Sequence, residues 1–378
     1  MKLVLTPEQT QLREAFAGLF ASKCPTSLVR ALKETDTFPE ELWRALADSG
    51  AFGLPFAARY GGQDAGLFEL GLLYAEAGAR LCPNAVYDTL LFGLAVDRLG
   101  AEAHRQRYLP ALCAGDLVAA VAAPNPSDAL DLRPRLRAER TADGWRLDGV
   151  LDFVPYTSRT EVVLVTAVER AWSGPARVLG FLVRPGGPGW HAEPLTTIAR
   201  DRCARVSLVD YAVADDAVLA GPDGRGLAEA DLGWVAEAGV ALQCMEMVGG
   251  ARAVLDQTVD YVKRRHQFGR PIAGFQAAQH HVANLRIAID AARLAAYSAV
   301  WWLGQGDRAT RQVAIANRHC SEAYKWTTLH CHQLQGGMGY VRQTDLHLWS
   351  ERAKVTELRG GDADVADRWL AREIGLAA

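Results

Sequence analysis

Apolar positions fall at helical spacing through the opening 115 residues. Leu12, Phe16, Leu19 and Phe20 recur three or four apart, which predicts a helix with one buried stripe. Thr6-Pro7-Glu8-Gln9 precedes them as a capping box with proline at the first helical position. A second helix opens near Pro39, turns Leu42, Trp43 and Leu46 inward and stops at Gly50. Two apolar helices are predicted over Leu67–Leu81 and Ala85–Leu99, punctuated by Pro83 and Gly100, and a short one over Ala101–Leu112.

Near Gly115 the helical period gives way to short β-branched or alternating runs. These are Leu117–Val121, Trp145–Val154, Val162–Val168, Val178–Val183 and Arg205–Tyr211, separated by Gly and Pro clusters such as Arg184-Pro185-Gly186-Gly187-Pro188-Gly189. They predict a compact β-domain, a barrel or sandwich. Helix returns after Gly226, over Leu227–Gln267, Phe275–Leu303, Arg308–Leu334, Thr344–Leu358 and Asp364–Gly375. Such lengths suit an antiparallel bundle. The expected fold class is α+β: an N-terminal helical domain (1–115), a middle β-barrel-like domain (116–225) and a C-terminal four-helix bundle (226–378).

Composition narrows the function. With 378 residues, 49% hydrophobic and 22% charged, the chain is globular and long enough to bury a large core without staples. Its net charge of −3 offers no cationic field for nucleic acid. The uncharged run Leu294–Gly306 is too short to span a bilayer, so no membrane insertion is expected. Met1-Lys2-Leu3-Val4-Leu5 leads into a polar helix start without the features of a signal peptide. Seven cysteines, an odd number without a CxxC, argue against a disulfide framework. A reduced, cytoplasmic protein is the expectation.

The sequence has no GxxxxGK[ST], HExxH, GxSxG or post-strand Rossmann fingerprint. His319, Cys320, His330, Cys331 and His332 have metal-ligand composition but no i, i+4 ligand pair, so helix packing explains them and no metal is expected. Two other stretches carry candidate chemistry. Tyr261-Val262-Lys263-Arg264-Arg265-His266-Gln267-Phe268-Gly269-Arg270-Pro271-Ile272, followed by Phe275-Gln276, is a helix end in a cationic turn. Basic residues there complement the helix dipole, and an arginine fork also matches a pyrophosphate bidentately. Gln333-Leu334-Gln335-Gly336-Gly337-Met338-Gly339-Tyr340 lies between helices. It reads as a plain interhelix turn or as a place where backbone N–H groups meet an anion.

Together, on this layout, the two stretches resemble the acyl-CoA dehydrogenase family. The resemblance covers nearly the whole chain. It rests on RxxFGxPIxxFQ (Arg265, Phe268, Gly269, Pro271, Ile272, Phe275, Gln276) and QxxGGxGY (Gln333, Gly336, Gly337, Gly339, Tyr340). Phe38-Pro39-Glu40-Glu41-Leu42-Trp43 and Tyr60-Gly61-Gly62 add to it. It implies FAD as cofactor, oxidation of the Cα–Cβ bond of an acyl-CoA thioester, and an electron acceptor such as electron-transfer flavoprotein. It also implies that both motifs hold the ADP half of an FAD bound mainly by a neighbouring subunit. Arg265 would contact the pyrophosphate, Gln267, Phe268 and Gln276 the adenosine side, and Gln333, Gly336 and Gly337 would supply the remaining contacts.

The sequence departs from that pattern where the flavin ring and the base should be. A general base, commonly glutamate, takes the α-proton in this chemistry. The base positions fall on Gly360, in Leu358-Arg359-Gly360-Gly361-Asp362, and on Gly239 of the first bundle helix. Glu237 sits two residues away, on a different helical face, and reads as a solvated or core-edge side chain. Arg359 reads as a surface arginine, and Trp301, Trp302 and Trp326 as core more often than pocket wall. The ring-contacting loop corresponds poorly to Ala123-Pro124-Asn125-Pro126-Ser127-Asp128, and the ring-packing strand to Phe153-Val154-Pro155, where proline offers no N–H. The pattern resembles the base-lacking subunit of heterotetrameric (α2β2) acyl-CoA dehydrogenases of actinobacterial steroid side-chain degradation. The expectation is therefore no catalytic residue on this chain and a second dehydrogenase-like subunit as partner. The alternatives are a self-sufficient homo-oligomeric flavin enzyme of this fold, of monooxygenase or oxidase type, and a non-catalytic scaffold subunit.

Overall fold

A computed structural model describes residues 4–35, 37–155, 158–169, 176–221 and 224–376. The opening Met1-Lys2-Leu3 lies outside them. The helices in chain order are α1 (Pro7–Lys23), α2 (Thr26–Glu34), α3 (Glu40–Asp48), α4 (Leu67–Ala79), α5 (Asn84–Leu99), α6 (Glu102–Cys113), α7 (Glu229–Arg264), α8 (Gln276–Leu303), α9 (Thr310–Gln335), α10 (Gly337–Tyr340), α11 (Leu346–Leu358) and α12 (Ala363–Glu373). The strands are β1 (Ala119–Val121), β2 (Leu136–Thr141), β3 (Gly144–Pro155), β4 (Val162–Glu169), β5 (Val178–Val183), β6 (Trp190–Leu195), β7 (Cys203–Val213), β8 (Val218–Leu219), β9 (His266–Gln267) and β10 (Arg270–Pro271). The chain divides into two compact units, one of residues 1–30, 67–82 and 240–378, the other of 31–66 and 83–239.

The capping box at α1 forms as expected: Gln9 N donates to Thr6 Oγ1 at 3.2 Å and Thr6 N to Gln9 Oε1 at 3.0 Å. Among elements of six or more residues, three lie outside the predicted pattern. α2 is a nine-residue helix whose one buried residue is Val29, too little apolar surface to announce itself. β2 buries only Leu136 and Ala138 between charged neighbours. β6 contains Pro194, which suits its place at the edge of the sheet, where a missing N–H breaks no ladder.

In the second unit β1–β8 form one eight-stranded mixed sheet, ordered β6-β7-β3-β2-β4-β5-β8, with β1 added parallel to β4. β2 and β4 also run parallel, and the other pairs are antiparallel. Leu136, Ala138, Leu147, Val163, Val165, Phe181, Val206 and Leu208 build its core by the period of two. α5 is pinned to β1 by Thr89, whose hydroxyl donates to Ala119 O and accepts from Ala119 N, both at 3.0 Å. Trp43 of α3 donates its Nε1–H to Gly115 O at 2.7 Å.

The first unit is helical. α4 lies backbone-to-backbone on α7: a Cβ on Gly78 would stand 2.2 Å from Glu246 O, and one on Gly249 would stand 1.7 Å from Ala75 O. Only glycine allows that approach. Across it lies an ion pair with no sequence signal, Arg352 of α11 to Glu246 of α7 at 2.6 Å, both buried. Arg352 also reaches Cys82 O at 3.5 Å. Among the described residues no helix is long and apolar enough to cross a membrane.

Removing one partner of a buried pair strands the other charge, which costs about 3–5 kcal/mol. Glu246→Ala should therefore lower the urea midpoint by an amount equivalent to at least about 3 kcal/mol, with an unchanged slope. A loss below about 1 kcal/mol would mean that Arg352 finds water or another acceptor.

Candidate nucleotide-binding surface

α7 ends at Arg264, and the chain does not continue as a simple cationic turn. It folds into a tight hairpin, β9 against β10, pairing Gln267 with Arg270 and His266 with Pro271. Arg265 N still donates to Tyr261 O at 2.8 Å, and Ile272 N returns to Arg265 O at 2.9 Å, closing the hairpin on its own base. The tip is Phe268-Gly269, with φ of +52° and +78°. Positive φ at both central residues is a type I′ turn. Glycine takes this freely, whereas an aromatic residue is strained there by about 1–3 kcal/mol. Yet Phe268 is 92% exposed, so no burial offsets that strain within the chain. Arg270 is parked over the Phe275 ring at 4.0 Å. Arg265 is exposed, and among the described residues no carboxylate lies in ion-pair range of it.

The second motif follows α9. Gly336 has φ +60° and ψ −139°, a region essentially reserved for glycine. Its N–H donates to His332 O at 2.9 Å and Gln333 O at 3.2 Å, ending the helix. A Cβ on Gly336 or Gly337 would meet nothing within 4 Å, so this side of the turn is open. Gly339 faces inward, where a Cβ would stand 3.0 Å from His332 O.

Buried contacts bring the two motifs to one end of the helical unit. Gln335 Nε2 donates to Thr258 Oγ1 at 2.9 Å, and Tyr261 Oη to Gln335 O at 3.4 Å, tying the last turns of α7 and α9. Arg265, Gln267, Phe268, Gln276, Gln333, Gly336 and Gly337 are all exposed. One guanidinium fork, three carboxamides, an uncovered aromatic face and two open-sided glycines form a set suited to a nucleoside diphosphate. The apolar surface continues from it. Gln276, Ala283, Ile287 and Leu294 share one exposed face of α8, and Trp326, Leu329 and Gln333 share one of α9.

The expected base positions hold no acid. The turn Arg359-Gly360-Gly361 is held by two buried amides: Gln243 Nε2 donates to Thr356 O and Arg359 O, each at 3.0 Å, and Asn317 Nδ2 to Gly361 O at 2.8 Å. Gly360 and Gly361 have φ of +77° and +125°, and a Cβ on Gly361 would meet Val365 Cγ1 at 2.7 Å. A Cβ on Gly239 would meet Leu91 at 3.3 Å. Glu237 is not solvated: it is 0% exposed. Arg359 is half-buried, and Trp302 and Trp326 are exposed rather than core.

In the sheet unit the segment after β1 folds on itself. Asn125 Nδ2 donates to Asp131 Oδ2 at 3.1 Å, and Ser127 N to Asn125 Oδ1 at 3.0 Å. Arg133 grips Asp131 at 2.6 and 2.9 Å, and this holds the carboxyl well below the usual carboxylate range. Phe153 sits in a bulge of β3 at φ +53° and is 53% exposed, and Pro155 ends the strand opposite Cys203.

Two family models match the chain: acyl-CoA dehydrogenase, N-terminal domain, over residues 6–116, and acyl-CoA dehydrogenase, C-terminal domain, over residues 237–375. The acryloyl-CoA reductase (NADH) of Anaerotignum propionicum is 27% identical over 385 residues, spanning 99% of this chain and 96% of its own. An acyl-CoA dehydrogenase of Bacillus subtilis (strain 168) is 27% identical over 378 residues, spanning 96% of each. Among solved structures, a variant of the Tcur3481–Tcur3483 steroid ACAD superposes with TM-score 0.85 at 27% identity, covering 97% of this chain and 98% of that one. The ChsE4–ChsE5 complex from Mycobacterium tuberculosis superposes with TM-score 0.88 at 25% identity, covering 100% of both chains.

The glycines of the turn separate conformation from openness. Gly336→Ala should cost about 1–3 kcal/mol, because alanine cannot hold that backbone. Gly337→Ala should stay within about 0.5 kcal/mol, because the added methyl enters open space. Urea unfolding of the two variants measures this, and equal losses would contradict the assignment.

Proposed function

The chain belongs to the acyl-CoA dehydrogenase family, and from that premise we propose that it is the base-lacking subunit of a heteromeric, FAD-dependent acyl-CoA dehydrogenase. It supplies contacts to the ADP half of an FAD, and a second dehydrogenase-like subunit carries the base. The observation that carries this reading is a contrast. The nucleotide-type groups at the ends of α7 and α9 are intact and face solvent, while the turn where a base is expected is Gly360-Gly361, clamped by Gln243 and Asn317.

The residues present fit the group. The open side of Gly336 and Gly337 lets a ligand approach the backbone without meeting a side chain. Arg265 offers an uncommitted guanidinium to a diphosphate. Phe268 offers a bare ring face for a purine. Gln267, Gln276 and Gln333 are exposed amides able to read its polar edge. FAD, when bound, accepts the hydride leaving the β-carbon of the acyl-CoA. This chain's part is to bind and orient the distant end of the cofactor. A surface so exposed needs a second wall, and the apolar stripes of α8 and α9 that run up to Gln276 and Gln333 suit a partner subunit.

Two of the solved relatives support the finer reading by their names: one is a two-protein steroid ACAD, the other a complex of two chains. On that basis the substrate class is the CoA thioester of a steroid side chain, and the α2β2 heterotetramer is the assembly. Electrons would leave for an acceptor such as electron-transfer flavoprotein. None of the seven cysteines is in a disulfide, which agrees with a reduced cytoplasmic setting.

The test is Arg265→Ala in the complex purified with its partner subunit. Losing a charge-assisted contact of about 1.5–3 kcal/mol should weaken FAD retention about ten- to a hundredfold, with the subunit ratio unchanged. Unchanged flavin content in that complex would overturn the assignment of Arg265.

A further inference from the structure

Beneath the glycine turn lies a histidine that the nucleotide contacts do not use. His332 is 8% exposed and sits in the last turn of α9. Its carbonyl accepts from Gly336 N at 2.9 Å, and it forms the floor under Gly339. Its ring stacks on exposed Tyr340, centroids 4.8 Å apart at 29°. Its Nε2 lies 2.6 Å from Ser350 Oγ on α11. One imidazole thus ties together α9, the turn of α10 and α11.

The proton placement follows from the neighbours. Ser350 donates its single hydroxyl proton to Leu346 O at 3.3 Å, so it accepts from His332 Nε2–H. Nδ1 is then a bare lone pair. It is buried, with no hydrogen-bond partner among the described residues. A protonated Nδ1 would be a buried donor in search of an acceptor, and the Gly339 backbone is the group beside it. The titratable neighbours are Tyr340 on α10, His347 on α11 and, by way of Gln335, Tyr261 on α7. α8 sets His281 against His330, not against His332.

We propose that His332 is a positioning residue whose neutral form shapes the Gly336–Tyr340 turn, and that its protonation loosens the turn's hold on the ADP end of the cofactor. The inference rests on the ADP-contact reading above and adds regulation to that site. Burial lowers its pKa from the ordinary value, the charge of His347 acts in the same direction, and the Gly339 backbone beside the ring opposes them. A histidine with a depressed folded-state pKa is protonated first in the loosened state. The tight turn is therefore fully favoured at neutral pH and loses ground as pH falls below the unperturbed value of about 6.5.

The experiment follows flavin release from the purified two-subunit complex by fluorescence, between about pH 7.5 and about pH 5.5, the interval in which imidazole titrates. In the wild type, release should accelerate about threefold or more as pH falls across that interval, because the loosened state binds the proton more tightly than the tight turn. His332→Gln keeps a donor for Ser350 and cannot titrate, so its release should be flat with pH. A wild-type slope in His332→Gln would overturn the proposal. Should that variant fail to assemble, Ser350→Ala keeps the imidazole and removes its acceptor, which should move the midpoint to lower pH. An unmoved midpoint would likewise overturn it. Arg265→Ala at about pH 7.5 separates the two readings. Its failure to shed flavin would strike at the ADP contacts, whereas a pH-independent wild type would strike only at His332.

Discussion

The contact of α7 with α9 at their last turns sets the site. The buried hydrogen bond from Gln335 to Thr258, with Tyr261 reaching the Gln335 carbonyl, fixes where both helices stop. From those stops spring the hairpin carrying Arg265, Gln267 and Phe268 and the turn carrying Gly336 and Gly337. Neither motif is large enough to define a surface alone. Their juxtaposition is a packing consequence, and the chemistry is inherited from it.

What that surface lacks is a second wall. Phe268 is held in a left-handed conformation in nearly full solvent, and among the described residues Arg265 has no carboxylate in ion-pair range. A chain that folded for its own sake would gain by burying the ring or relaxing the backbone. The exposed stripes on α8 and α9 lead to the same place. At the Arg359–Gly361 turn the opposite holds: buried amides satisfy the carbonyls, and glycines leave no side chain to act. The molecule is thus finished internally where a catalytic acid would be, and unfinished externally where a cofactor's far end would lie.

Much of this was legible in the sequence because it is written in local chemistry. Helix period and the Thr6 capping box place α1, and the Gly and Pro punctuation places α4, α5 and α6. The two motifs announce their residues by spacing. Other features are not local. The Glu246–Arg352 pair joins residues from two helices more than a hundred positions apart, so no local pattern marks it. The strained Phe268-Gly269 tip depends on pairing between His266-Gln267 and Arg270-Pro271, runs too short for any periodicity. β6 hides behind Pro194, whose tolerance depends on being at a sheet edge. Glu237 reads as a solvated or core-edge side chain and is fully buried by the packing of its unit.

The most direct test of a shared site is stoichiometry. The complex is purified through a tag on this chain, and flavin is counted against polypeptide while the co-purifying subunits are identified. A shared site predicts half as many flavins as chains, with a second dehydrogenase-like polypeptide in equal amount. A flavin on every chain, in an assembly of this polypeptide alone, would contradict it.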